Sequence, residues 1–93
     1  MAYRLSRKAE DDILAIYLAG ARLFGAAQAD RYHAGLERTF AFLADNPHAA
    51  RERSELRLRS RAFPYGTHLI FYRLDGSDIF IQRIRDMRED WTD

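Results

Sequence analysis

The side chains best suited to act on another molecule in this chain are its arginines. Arg83, Arg85 and Arg88 fall at the end of an apolar run and the start of the final tail, where a rigid strand would present them to a target. Arg57, Arg59 and Arg61 alternate with Leu56, Leu58, Ser60 and Ala62, and with Arg73 they form a basic strip. A guanidinium carries a planar fork of donors and pairs bidentately with a carboxylate or a phosphate. The strip therefore suits an acidic peptide or a phosphate backbone. Trp91 adds a large aromatic close to the end of the chain, and tryptophan is enriched at binding hot spots.

The remaining reactive side chains are not spaced for chemistry. His33, His48 and His68 are spread over a helix, a loop and a strand without metal-ligand spacing. Asp86, Glu89 and Asp90 flank Arg88 and read as a solvated charged tail. There is no cysteine, which removes thiol catalysis, disulfides and thiolate zinc sites. No nucleophile–histidine–carboxylate order and no phosphate-cradling glycine loop is present. The residues thus define no catalytic set, no metal ligands and no cofactor site. They point to a small binding domain, or to a nuclease built from arginines and little else.

Charge is unevenly distributed, although the formal net value is only +1. Residues 51–73 hold six arginines against two glutamates, and residues 74–93 hold three arginines against six carboxylates. That total is too low for a chain that must hold nucleic acid by electrostatics alone, so no direct sequence-specific nucleic-acid binding is expected. Of the fifteen basic residues only Lys8 is a lysine. The opening MAYRLSRKAEDD has no apolar run of the kind a signal peptide needs, and no stretch approaches the ~20 apolar residues of a membrane span. A cytoplasmic protein with no membrane partner is expected. Ninety-three residues suffice for one domain, 1–93, with a single core.

The elements that must position these arginines are legible from periodicity and punctuation. Tyr3–Leu5 is short and extended and predicts an edge strand, antiparallel to whichever sheet edge it joins. Ser6 predicts an N-cap, with Glu10, Asp11 and Asp12 near the positive end of a helix. Ile13, Ile16, Tyr17, Gly20 and Phe24 recur at helical spacing, and Gly25 predicts the helix end. A second helix starts near Ala26, carries Ala29, Tyr32, Leu36, Phe40 and Leu43 on one stripe, and stops before Pro47. Three strands follow. The first spans Leu56–Ala62 and is broken by Pro64 and Gly66; the second spans Thr67–Leu74; the third spans Ile79–Arg85 after the Asp75-Gly76 turn. With a two- or four-residue loop, Ile70, Tyr72 and Leu74 share a face with Ile79, Ile81, Arg83 and Arg85, while Leu69, Phe71 and Arg73 share the other with Phe80 and Ile84. The fold class is α+β, in the order β-α-α-β-β-β, with an antiparallel sheet covered on one face by a helical hairpin.

In their order and spacing, YRLSRKAEDDILAIY, FLADNPHAA, HLIFYRL and the closing IQRIRDMREDW resemble the RelE/ParE superfamily of bacterial toxins, and within it the ParE, or plasmid-stabilisation, branch. The resemblance covers almost the whole chain and implies the same β-α-α-β-β-β fold. The ParE branch implies a toxin of a type II toxin–antitoxin system that traps DNA gyrase on cleaved DNA and is not itself an enzyme. It also implies a hetero-oligomer with a ParD-like antitoxin, whose arm would meet the hairpin surface and the strip Arg57, Arg59, Arg61 and Arg73. Replacing Arg57 and Arg59 with Glu is expected to weaken that binding, and unchanged affinity would remove the assignment. Target contact falls to Arg83, Arg85, Met87, Arg88 and Trp91.

The RelE branch implies instead a ribosome-dependent messenger-RNA endonuclease, with Arg83, Arg85 and Arg88 around the phosphate and His68 as a proton-transfer group. Its tail tyrosine would fall beyond Asp93, and His68-Leu69 replaces a basic residue of its third strand. Asp86-Met87 stands where the ParE ending carries histidine-glycine, which keeps open a third reading, a homologue that only binds antitoxin.

Overall fold

The computed structural model describes residues 2–53 and 60–88. Its elements are β1 (Tyr3–Leu5), α1 (Arg7–Phe24), α2 (Ala26–Asp45), β2 (Arg61–Tyr65), β3 (His68–Asp75) and β4 (Asp78–Asp86). The expected α+β order is therefore observed, and each helix boundary has the expected cause. Ser6 Oγ accepts the Ala9 N–H at 2.9 Å and donates to the Gln82 carbonyl at 2.7 Å, so one hydroxyl caps α1 and ties it to β4. Gly25, at φ 93°, sits between the helices in a conformation that favours glycine. Asn46 ends α2, with Pro47 immediately after.

The strands form one sheet in the order β1-β4-β3-β2. Leu36, Phe40 and Leu43 from α2 and Ala9 from α1 pack against Ile70, Tyr72, Ile79, Ile81 and Ile84 to make the core. The β3–β4 turn leaves two residues outside the ladder, since Asp75 pairs with Asp78, and Leu74 opposes Ile79 as the even–odd register requires. Gly76 takes φ 64° there.

Four features differ from the sequence expectation. First, β1 pairs with β4 in parallel, Tyr3 opposite Ile79 and Leu5 opposite Ile81. Simple alternation of direction through two helices and three strands would make that pair antiparallel. An additional reversal lies between α2 and β2, where Glu52 bridges Arg61 in the antiparallel sense.

Second, the β3–β4 register shifts between Phe71 and Tyr72, because Tyr72 pairs with Ile81 but Phe71 pairs with Arg83. Gln82 is the extra residue of a β-bulge, and beyond a bulge the faces of a strand exchange. Ile84 consequently opposes Ile70 in the core, and Arg83 and Arg85 pass to the row of Phe71 and Leu69 on the opposite face. Sequence had placed these residues the other way round.

Third, Pro64 does not end a strand but lies inside β2, opposite Leu69. Proline lacks the N–H that a central strand would need, and β2 is an edge strand. Of the first predicted meander strand, Leu56 to Arg59 lie outside the described residues. Fourth, Phe24 leaves the buried stripe and is 69% exposed at the hairpin tip.

Tyr72 explains how the α2–β2 connection is held. It is fully buried, its hydroxyl donates to the Pro47 carbonyl at 2.9 Å, and it accepts the Ala50 N–H at 3.3 Å. Burial pushes the phenol pKa up, so it stays a neutral donor. Tyr72→Phe leaves two backbone groups without their partner and is expected to lower stability by about 1–3 kcal/mol in urea unfolding. An unchanged midpoint would show that water replaces the hydroxyl.

Candidate functional site

Where β1 stops at Leu5, helix α1 takes over the exposed edge of β4. Ser6 N–H donates to the Ile81 carbonyl at 2.9 Å, and Asp12 accepts the Ile84 N–H at 2.9 Å. The same carboxylate takes Arg83 bidentately, at 2.8 Å from Nε and 3.0 Å from a terminal nitrogen. Arg83 is therefore engaged in joining α1 to β4. No short-range signal marks this pairing, since Asp12 and Arg83 lie far apart in the chain.

The end of β4 is organised by Asp86. The Met87 N–H donates to the Thr67 carbonyl at 3.0 Å, extending the ladder past the strand end. Asp86 accepts the Arg88 N–H at 2.8 Å and its guanidinium at 3.0 and 2.9 Å. The Arg88 hydrogen bonds hold the Asp86 carboxyl well below the usual carboxylate range, and the guanidinium pKa is raised in return. Arg88 is thereby aimed by its own turn while its side chain stays 88% exposed. The sign of the linkage follows from the depressed pKa. This pairing is complete above the ordinary aspartate pKa of about 4 and is lost only as pH falls through the lower folded-state value. Carboxylate-detected NMR should show Asp86 still ionised below the ordinary aspartate pKa of about 4; a midpoint at or above that value would contradict the pairing.

On the helix-facing side, Tyr65, His68 and Asp86 form one cross-strand row. Tyr32 of α2 closes over it. Its hydroxyl lies 2.7 Å from His68 Nδ1, 3.2 Å from the Tyr65 carbonyl and 3.3 Å from the Thr67 N–H, while Tyr65 donates back to the Tyr32 carbonyl at 3.0 Å. Burial raises the Tyr32 pKa, so the phenol remains protonated. The interlock requires Gly35, because a Cβ there would overlap the Tyr65 hydroxyl. Gly35→Ala should displace that hydroxyl from its carbonyl and cost about 1–2 kcal/mol, despite the better helix propensity of alanine. A thermal midpoint equal to or above the parent would contradict the interlock.

The candidate residues are accordingly distributed over several places. Arg83 and Arg85 share the outer face with Phe71 and Leu69, whereas His68 faces the helices. The constellation considered for phosphate cleavage, Arg83, Arg85, Arg88 and His68, is thus divided between two faces of the sheet. Arg73 and Arg61 are divided in the same way. Arg73 stacks over Phe80 on the outer face, 4.7 Å from the ring centroid, with Arg4 at 5.5 Å from the same ring. Arg61 stands instead in the row of Tyr72 and donates to the Ala50 carbonyl at 2.7 Å. It therefore does not lie on the solvated cationic face that alternation predicted, because a buried carbonyl of the α2–β2 connection needed a donor. Arg57, Arg59 and Trp91 lie outside the described residues. Met87 is 41% exposed.

Leu14 and Leu18, one turn apart on α1, are not among the contact residues expected from sequence and are 59% and 54% exposed. The signal was available: α1 carries leucines off the stripe of Ile13, Ile16 and Gly20, so it is apolar on more than its core side. Among the described residues no group of histidines or carboxylates is placed to hold a metal ion, and no helix is long and apolar enough to cross a membrane.

Comparison with known proteins agrees with this architecture. The family described as the ParE toxin of the type II toxin–antitoxin system parDE matches residues 3–91. Toxin ParE1 of Caulobacter vibrioides is 33% identical over 72 residues, which cover 77% of this chain and 75% of that protein. A solved structure titled as the chromosomal ParDE TA system from P. aeruginosa superposes with a TM-score of 0.77 over 92% of this chain and 95% of its own, at 24% identity, and so shares the fold. With a family match across nearly its whole length and a curated relative above 30% identity, the chain belongs to the ParE toxins of type II toxin–antitoxin systems.

Proposed function

We propose that this toxin, a single domain over residues 1–93, acts in the cytoplasm by trapping DNA gyrase on cleaved DNA, and that a ParD-like antitoxin neutralises it. The observation that carries this reading is the family match over residues 3–91. The end of β4 supports it locally. Asp86 aims an exposed Arg88 outward beside a partly exposed Met87, on a strand whose position is fixed by β3 and by α1. Arg85, Met87, Arg88 and Trp91 are the proposed target contacts. Arg83 acts as their anchor through Asp12.

The antitoxin arm is assigned to the outer side of α1. Leu14 and Leu18 offer two apolar anchors at the spacing an amphipathic helix reads. Acidic residues of the arm would meet Arg57 and Arg59, with Arg73 at the margin and Arg61 held inward by Ala50.

Controlled expression in a bacterial host tests the reading. Growth arrest with induction of the DNA-damage response and gyrase covalently linked to chromosomal DNA is expected, each reduced by Arg88→Ala. Arrest with intact DNA and truncated messenger RNA would overturn it.

A further inference from the structure

Residues four apart form one row along a helix, and on α1 such a row reads Glu10, Leu14, Leu18, Arg22. All four side chains are exposed. The row is about 18 Å long, and its leucines lie opposite Ala9, Ile13 and Ile16, which pack on the core. Small exposed side chains at Ala15 and Ala19 flank the leucines and leave room for a second helix to approach. Among the described residues, Glu10 and Arg22 have no ion-pair partner within the chain.

We propose that this face of α1 is the contact between two copies of the toxin when no antitoxin is bound. The order of the row argues for that occupant, because acid, leucine, leucine, base is its own complement when reversed. With a two-fold axis at the level of Ile16, an antiparallel α1 of a second copy sets its Arg22 against Glu10 and its Leu18 against Leu14. The symmetry repeats both contacts on the other side of the axis. A parallel second copy would oppose like charges at both ends, so the charges select the antiparallel pair. Ridges of residues four apart pack side by side at a helix crossing angle of about −50°, which is the arrangement this row offers. Leu14 and Leu18 from each copy, 59% and 54% exposed, make a small contact. It falls below the roughly 1,200 Å² under which complexes are weak and reversible, so a micromolar dissociation constant is expected. The antitoxin arm assigned to the same leucines competes with the second copy, so antitoxin binding and self-pairing exclude each other. The inference rests on the row itself and not on the gyrase reading.

Sedimentation velocity of the purified toxin, from low-micromolar to submillimolar concentration, tests the pairing. A monomer–dimer equilibrium is expected, abolished by Leu14→Glu/Leu18→Glu. Glu10→Arg alone sets arginine against arginine twice, and Arg22→Glu alone sets glutamate against glutamate twice. Each should weaken the dimer about tenfold. Mixing these two single variants in equal amounts restores an ion pair on both sides of the axis, so a mixed dimer at least as tight as the parent's is expected. That recovery also shows that both variants are folded. A toxin that is monomeric at every concentration overturns the proposal. So does a dimer that neither the leucine nor the charge changes weaken, and so does a mixture no tighter than its separate components. Gyrase and antitoxin are absent from this measurement, so its outcome is separate from that of the functional reading.

Discussion

Asp12→Ala is expected to lower the unfolding free energy by about 2–3 kcal/mol, the largest loss from any single polar side chain here. The carboxylate serves three donors at once, two on Arg83 and the Ile84 N–H, so its removal takes two hydrogen bonds from the guanidinium and the side-chain acceptor from a strand-edge amide. Asp12 is 16% exposed and Arg83 34%, which places the pair well above a surface ion pair in value but below a fully buried one. At a urea slope of about 1 kcal/mol/M, the midpoint should fall by roughly 2–3 M. Asp12→Asn, which retains one acceptor, should lose about half as much. A midpoint change within the noise for Asp12→Ala would show that α1 is held to β4 by apolar packing alone.

Leu14→Glu/Leu18→Glu should reduce antitoxin affinity by about 100-fold, equivalent to about 2.7 kcal/mol, while leaving unfolding stability within about 0.5 kcal/mol of the parent. Both side chains are more than half exposed, so the fold has little to lose from the charges. An amphipathic helix seated there would have to desolvate two carboxylates with no partner. Titration calorimetry with the purified antitoxin gives the affinity directly. Binding that survives the double change but fails with Arg57→Glu/Arg59→Glu would move the arm from α1 to the basic strip.

The local features of this fold are readable from the sequence because short-range chemistry determines them. Ser6 caps α1, Gly25 separates the helices, and Asp75-Gly76 turns β3 into β4, each through contacts within a few residues. The buried stripe of α2 is likewise where a period of 3.6 places it, at Ala29, Leu36, Phe40 and Leu43. The bulge at Gln82 is not fixed by such a contact: the spacing Ile79, Ile81, Ile84 breaks the period of two, but a regular strand with Phe80 and Ile84 on one face accommodates the same residues. Its effect is large because it decides which face carries Arg83 and Arg85.

The roles of individual arginines were the least legible part. Arg61, Arg73 and Arg83 are equivalent in sequence, yet one serves the Ala50 carbonyl, one stacks on Phe80 and one pairs with Asp12. Which partner each finds depends on elements brought together from opposite ends of the chain. Arg88 is the exception, since its partner Asp86 is two residues away. That pairing gives Asp86 a physical role: it orients the arginine two residues further on.

The gyrase assignment rests on family membership and on the exposed end of β4, and purified components test it most directly. The toxin is incubated with DNA gyrase, ATP and supercoiled plasmid, and the products are resolved after detergent and protease treatment. The account predicts linear plasmid that stays protein-linked until digestion, rising with toxin concentration and reduced by Arg88→Ala and by Trp91→Ala. Undisturbed supercoiling with no linear product, together with messenger RNA cut in a parallel ribosome reaction, would contradict it.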